Sequence, residues 1–292
     1  MLKEIRINGA SIRTGSSNIL GAKGSTYYIG NVPPFDGLSA RFTSPRSMFN
    51  DVAANDRLLM STYPDGRIVI FNTRSGAFSG EIAVPGNFDI IDMKWDGINN
   101  DRILCYSRGA NGVYPLSYPG LVFGALIPVP SIGYGYGIEA DAVRNRWALI
   151  DQNKNLQIID VPSQDVVKVL NDSVCTDIRL IRLDPFNPDR LYILKSSTTL
   201  GIVNLSDFTT STIELRNSAI DIGKNPDPAR RELYTSGDVL TFYNGDTLAF
   251  IRSTDPQEIP SDYTVILNPD PLSERYWTAG GWPFMVHRLM RF

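Results

Sequence analysis

Carboxylates recur along this chain at intervals that repeat. Asp51, Asp92, Glu139 with Asp141, Asp177, Asp221 and Asp262 each fall near the start of a short apolar stretch. If those stretches surround one axis, the acids form a ring around it, where like charges raise one another's pKa or attract a divalent cation such as calcium. The same atoms have a structural use. Each carboxylate can accept hydrogen bonds from backbone N–H groups of the next unit and staple unit to unit. Repetition in every unit favours this second use, because an active site is normally asymmetric.

Other chemistry finds fewer residues. Asp151, Asn153 and Asn155 in DQNKNLQIID alternate as calcium-loop ligands do, but Leu156 stands where that loop needs glycine and Pro162 where it needs glutamate. A hairpin turn needs the same residue types. His287 is the sole histidine, so neither a zinc ligand set nor a Ser-His-Asp triad assembles around it, and no G-x-S-x-G elbow occurs. Cys105 and Cys175 both lie inside apolar strand patterns and read as buried free thiols. No cofactor is expected apart from the cation the acids could hold.

Exposed aromatic loops supply candidate contact residues. Tyr134 and Tyr136 alternate with glycine in GYGYG, Tyr118 lies in SYPG and Trp282 in GGWP. Flanking glycines let such rings project toward a glycan or protein, or fold back over an edge.

The elements that would position these residues follow from a second periodicity. An arginine, usually after Asn, Asp or Glu, opens an apolar run at Arg57, Arg102, Arg146, Arg190, Arg231 and Arg275, with steps of 45, 44, 44, 41 and 44 residues. That is the length of a four-stranded propeller blade and too long for an ankyrin or tetratricopeptide unit. Within one unit, residues 88–95, 102–107, 112–116 and 121–129 read as four strands, with Gly, Pro, Asn and Asp between them. No helix is needed. The spacing predicts an all-β propeller of six four-stranded blades over residues 47–292, seven if residues 10–46 form a degenerate blade, in a single domain over 1–292. The last unit ends after three strands, at 263–267, 276–279 and 284–290. Residues 2–7, within a closing segment 1–9, are expected to supply the fourth and close the ring.

PDRLYILK and ARRELYTSG, each after a turn such as DPFN or NPDP, resemble the turn and second strand of β-propeller repeats of the YVTN, NHL and WD40-like kind. The likeness covers residues 47–292 and concerns fold. The Trp-Asp endings of WD40 blades, the aspartate boxes of sialidases and the glycine pairs of kelch blades are not repeated here. The resemblance implies either an interaction scaffold or, by analogy with propeller lactonases, channel carboxylates holding a divalent metal that activates water.

Composition narrows the partners. A formal net charge of −3 with no basic cluster argues against nucleic acid. No apolar run reaches the ~20 residues of a membrane span, and the first residues alternate charged and apolar side chains unlike a signal peptide. The expectation is a non-enzymatic scaffold in an oligomeric protein assembly, either a virion component such as a phage-tail propeller or a cytoplasmic WD40-like hub, with a lactonase-like hydrolase as the catalytic alternative.

Overall fold

The computed structural model describes residues 3–291 apart from the segments 8–9, 15–18, 24–25, 30–43, 52–56, 64–65, 73–76, 130–136, 226–229, 254–267, 271–274 and 281–284 and positions 108, 197, 220 and 238; side chains are described mainly between residues 57 and 253. Among the described residues the chain forms strands and one 3-10 turn at Pro85–Asn87.

Five consecutive four-stranded antiparallel sheets form the blades of a β-propeller. After β1 (Lys3–Ile7), β2 (Ala10–Thr14), β3 (Ile19–Lys23) and β4 (Thr26–Ile29), blade 1 comprises β5 (Ser44–Asp51), β6 (Arg57–Tyr63), β7 (Arg67–Asn72) and β8 (Phe78–Ala83). Blade 2 comprises β9 (Ile90–Trp95), β10 (Arg102–Ser107), β11 (Gly112–Ser117) and β12 (Ile127–Pro128). Blade 3 comprises β13 (Ile138–Asp141), β14 (Arg146–Ile150), β15 (Leu156–Asp160) and β16 (Val166–Leu170). Blade 4 comprises β17 (Leu180–Leu183), β18 (Arg190–Leu194), β19 (Thr199–Asn204) and β20 (Thr210–Glu214), and blade 5 comprises β21 (Asp221–Lys224), β22 (Glu232–Ser236), β23 (Leu240–Asn244) and β24 (Phe250–Ser253). The remaining strands are β25 (Asn268–Asp270), β26 (Arg275–Gly280) and β27 (Met285–Arg291).

Three expectations need correction. Among the described residues the four-stranded blades number five rather than six or seven. The strands after residue 253 join a five-stranded sheet in the order β25–β26–β27–β4–β3. The predicted closing strand does not reach it: β1 pairs with β2, while the free edge of β27 pairs with β4, from Arg288↔Ile29 to Arg291↔Thr26. The predicted strand at 263–267 lies outside the described residues.

The second strands explain why the repeat is visible in the sequence. β10, β14 and β18 are buried along nearly their whole length, because both faces of the strand are covered by neighbouring blades. A strand covered on both sides reads as an unbroken apolar run. The core accordingly lies between blades. Leu59 and Ile68 of blade 1 pack with Ile103 and Cys105 of blade 2, Leu104 and Tyr106 with Trp147 and Leu149 of blade 3, Ile150 and Ile158 with Leu191 and Ile193 of blade 4, and Tyr192 and Leu194 with Leu233 and Tyr243 of blade 5. Both cysteines are buried and free, Cys105 and Cys175 standing in separate interfaces. Outer strands are the converse, with exposed residues along β8, β16 and β24.

In blades 2 and 4 the repeated arginine is an electrostatic latch at the entrance to the second strand. Asp96, its carboxylate fully buried, accepts from Arg102 Nε at 2.6 Å, and Asp184 accepts from Arg190 Nε at 2.6 Å and from the Tyr192 hydroxyl at 2.7 Å. Arginines at or near this position also reach across to the next blade. Arg57 donates to the Pro119 carbonyl and Arg190 to the Gly245 and Asp246 carbonyls, and in blade 3 Arg144 does this work, contacting Pro188 O, Asp189 and Ser206. The fifth unit departs from the sequence reading. By strand register the residue equivalent to Arg190 is Glu232, paired with Asn244 as Arg190 is with Asn204, and Arg231 lies one position earlier. Here Asn225 replaces the aspartate and donates to Glu232 at 2.7 Å, while Arg252 closes on both carboxylate oxygens at 2.8 Å.

The outer turn repeats as well. Leu121, Gln164, Phe208 and Leu248 adopt positive φ and donate their N–H to the carbonyls of Ser117, Asp160, Asn204 and Asn244 respectively. Ser, Asp or Asn at the first position then uses its side chain to accept a further N–H of the turn, as in Asn204 with Ser206 at 2.9 Å.

Removing the acid of a buried pair strands its cation, so Asp184→Ala is expected to destabilise the protein by about 3–5 kcal/mol, whereas Arg231→Ala, at an exposed pair, is expected to leave stability nearly unchanged; chemical denaturation of both variants checks this. Deletion of residues 1–14 removes only a hairpin and is expected to leave the melting temperature nearly unchanged, while deletion of residues 1–29 also strips β4 from β27 and lowers it by several degrees.

Candidate functional site

First strands face inward, and strand register identifies which of their side chains share a level. Lys94, Glu139, Arg182 and Gly223 each stand opposite the third residue of the following strand, namely Leu104, Ala148, Tyr192 and Tyr234. Consecutive blades thus offer a cation, an anion, a cation and no side chain. Gly223 leaves room for the Tyr234 side chain, whose phenol end a Cβ at this position would overlap. Two positions earlier in their strands, Asp92 and Asp221 share the level opposite Tyr106 and Ser236.

These side chains converge on Arg182. Its guanidinium donates from Nε to Asp221 Oδ1 at 3.1 Å and from Nη1 to the Ile181 carbonyl at 2.9 Å, and Nη1 lies 3.5 Å from Asp92 Oδ2 and 3.6 Å from Glu139 Oε1. Lys94 approaches Glu139 Oε1 from the other side at 3.3 Å. Two cations therefore face three carboxylates in a largely buried space. Burial alone would disfavour the charge on Arg182, but Asp221, Asp92 and Glu139 outweigh it and hold the guanidinium protonated more firmly than a free arginine. Burial raises the Glu139 carboxyl above the usual range, with Lys94 and Arg182 pulling the other way.

Asp92 performs the stapling anticipated for the acids. It accepts the Ile138 N–H of blade 3 at 3.3 Å, the Ser47 hydroxyl of blade 1 at 3.3 Å and its own neighbour Met93 N–H at 3.0 Å. With Arg182 of blade 4, four blades meet on one carboxylate. Asp221 is held by the Ile222 N–H at 2.7 Å in addition to Arg182.

Three of the seven acids expected at the axis, Asp92, Glu139 and Asp221, thus come together. Asp141 does not join them: it ends β13 and binds Arg144 at 3.0 Å. Asp177 sits exposed in the loop before β17 at φ 54°, and Asp51 ends β5, one blade's version of the latch position opposite Arg57. Asp262 lies outside the described residues, as do Tyr134, Tyr136 and Trp282. Tyr118 is described and packs inward, its ring edge-to-face with Trp95 at 5.2 Å. Asp151 ties a hairpin turn, accepting the N–H groups of Asn153 and Asn155 at 2.8 Å each. Among the described residues no group of three or more His, Cys, Asp or Glu side chains is arranged to hold a metal ion.

Arg182 and Lys94 are the residues that reading by acid type misses. A register count could have found them, since Lys94, Glu139 and Arg182 precede Arg102, Arg146 and Arg190 by 8, 7 and 8 residues. The count slips by one in blade 3 because its first turn is a residue shorter.

No family model matches the chain, and no curated protein matches it. Solved structures do. The chain superposes on the β-propeller domain of Cps50 (Swd1) from Myceliophteria thermophila with a TM-score of 0.55 and 12% identity, covering 80% of each chain. In all 1556 solved chains match; the Cps50 likeness, with the five sheets described above, shows the β-propeller fold and leaves the chain's role open. The Cps50 match is to a propeller domain and not to a virion component, so the phage-tail expectation gains no support from it. No helix among the described residues is long and apolar enough to cross a membrane.

Replacing Arg182 leaves three carboxylates without their shared cation. Arg182→Met is expected to cost about 3–5 kcal/mol, and adding Asp92→Asn and Asp221→Asn to it recovers part of that loss; denaturant midpoints of the single and triple variants measure the coupling.

Proposed function

We propose that this propeller is a non-catalytic platform for protein–protein contacts. The observation that carries the reading is the occupation of the axis by the chain's own Arg182, which stands where a bound ion would have to stand to engage Asp92, Glu139 and Asp221 together. A lactonase-like hydrolase needs carboxylates available to a metal and to water. Here the same groups are committed to Arg182, Lys94 and the backbone of adjacent blades.

With the centre filled, contact falls to the rim. Val166, Val167 and Val169 of β16 are 38, 40 and 43% exposed, and Phe250 and Ile251 of β24 are 49 and 41% exposed. Both are outer strands of their sheets, each paired within its blade on one side, and an outer strand offers a partner both apolar side chains and a row of main-chain donors and acceptors. The similarity to the Cps50 (Swd1) propeller is one of fold and supports a scaffold as readily as any other propeller role.

The expected outcome is no metal-stimulated hydrolysis of lactone or ester substrates with Ca²⁺, Mn²⁺ or Zn²⁺. Partners recovered by proximity labelling are expected to be lost from a Val167→Glu, Val169→Glu variant that keeps the wild-type melting temperature. Robust metal-dependent turnover abolished by Asp92→Ala would overturn the reading.

A further inference from the structure

The axial cluster carries an imbalance that the scaffold reading does not use. Asp92 has four hydrogen-bond donors and Asp221 has two, yet Glu139 Oε1 is buried with no donor in good hydrogen-bond geometry, Lys94 at 3.3 Å being the nearest. Its contacts are the ion pairs to Lys94 on β9 and Arg182 on β17, at 3.3 and 3.6 Å. The residue as a whole is 9% exposed. A carboxylate oxygen in that position has exchanged water for two ion pairs and no well-formed hydrogen bond, which leaves part of the burial penalty on its charged form uncompensated.

The surrounding charges set the size of the imbalance. From β9 the groups facing Glu139 are Lys94 and Asp92, and from β17 the group is Arg182, which in turn holds Asp221 of β21 and lies beside Tyr234 of β22. On β14, the partner strand of β13, Arg146 stands opposite Asp141 at the far end of the pairing, and Ala148 is opposite Glu139 itself. Among the described residues three carboxylates face two cations, one negative charge in excess, and Glu139 is the member least compensated by hydrogen bonds.

We propose that Glu139 is a proton-binding site at the propeller axis: charged, it bridges blades 2 and 4 through Lys94 and Arg182, and protonated, it leaves the axis electrically neutral with Arg182 retained by Asp92 and Asp221. One proton is taken up from solvent and one ion-pair bridge is released, with no other group changing state. The direction of its pKa agrees with the geometry, since burial raises it and the two cations restore only part of the difference. The sign for stability follows. A carboxyl whose folded pKa lies above its unfolded value contributes fully below the unfolded value, and the contribution is lost as pH rises through the folded one.

The test is a carbon-13 carboxyl NMR titration of the uniformly labelled wild-type protein, with Glu139→Gln identifying the resonance. Glu139 is expected to titrate above the other glutamates, and Lys94→Met, which removes one of the two compensating cations, is expected to move it higher still. In thermal denaturation the Glu139→Gln protein should match wild type in mild acid and exceed it at neutral pH. Titration of Glu139 together with or below the surface glutamates, or no response to Lys94→Met, would refute the proposal. The NMR readout does not depend on the stability of Glu139→Gln, because Lys94→Met also marks the resonance by its shift.

Discussion

A blade of this protein cannot bury itself. Its second strand is apolar on both faces, so each sheet exposes two hydrophobic surfaces until a neighbour covers each, and the core residues accordingly form clusters shared between consecutive blades. That requirement accounts for the rest. It sets the unbroken apolar runs, places first strands at the inside, and leaves the outer strands to solvent.

Polar groups then fix the orientation that apolar packing leaves loose. The latches Asp96–Arg102 and Asp184–Arg190 pin the entry of their second strands, and Arg190 also bridges to the next blade's outer turn. Hydrophobic contact is non-directional, whereas a guanidinium that must satisfy a buried carboxylate and a carbonyl simultaneously admits few arrangements. At the axis the same logic is applied once rather than repeatedly. Arg182 gathers acids from three blades, and Tyr234 fills the level that Gly223 leaves empty.

Much of this is legible in the residues. The 44-residue period, the strand and turn pattern of residues 44–253 and the burial of both cysteines follow from apolar runs and turn chemistry, which are local signals. What escapes is long-range. Acid-by-acid reading places Asp141 and Asp177 at the axis because residue type does not reveal register, and a turn shorter by one residue shifts which side chain points inward. Arg182 and Lys94 are hidden for the same reason. The N-terminal pairing goes astray because residues 2–7 and Thr26–Ile29 are both plausible strands, and hydrophobic alternation cannot say which of two strands an edge will take.

Blade 5 carries one further implication. Its latch is written with the opposite polarity, Glu232 standing where its counterparts are arginines, with Asn225 and Arg252 recoded to match. Such a module is not interchangeable with its siblings. Tandem units of near-equal length invite frame errors during folding and recombination between copies, and an inverted lock in one of them gives the chain an address mark from which the others can be counted.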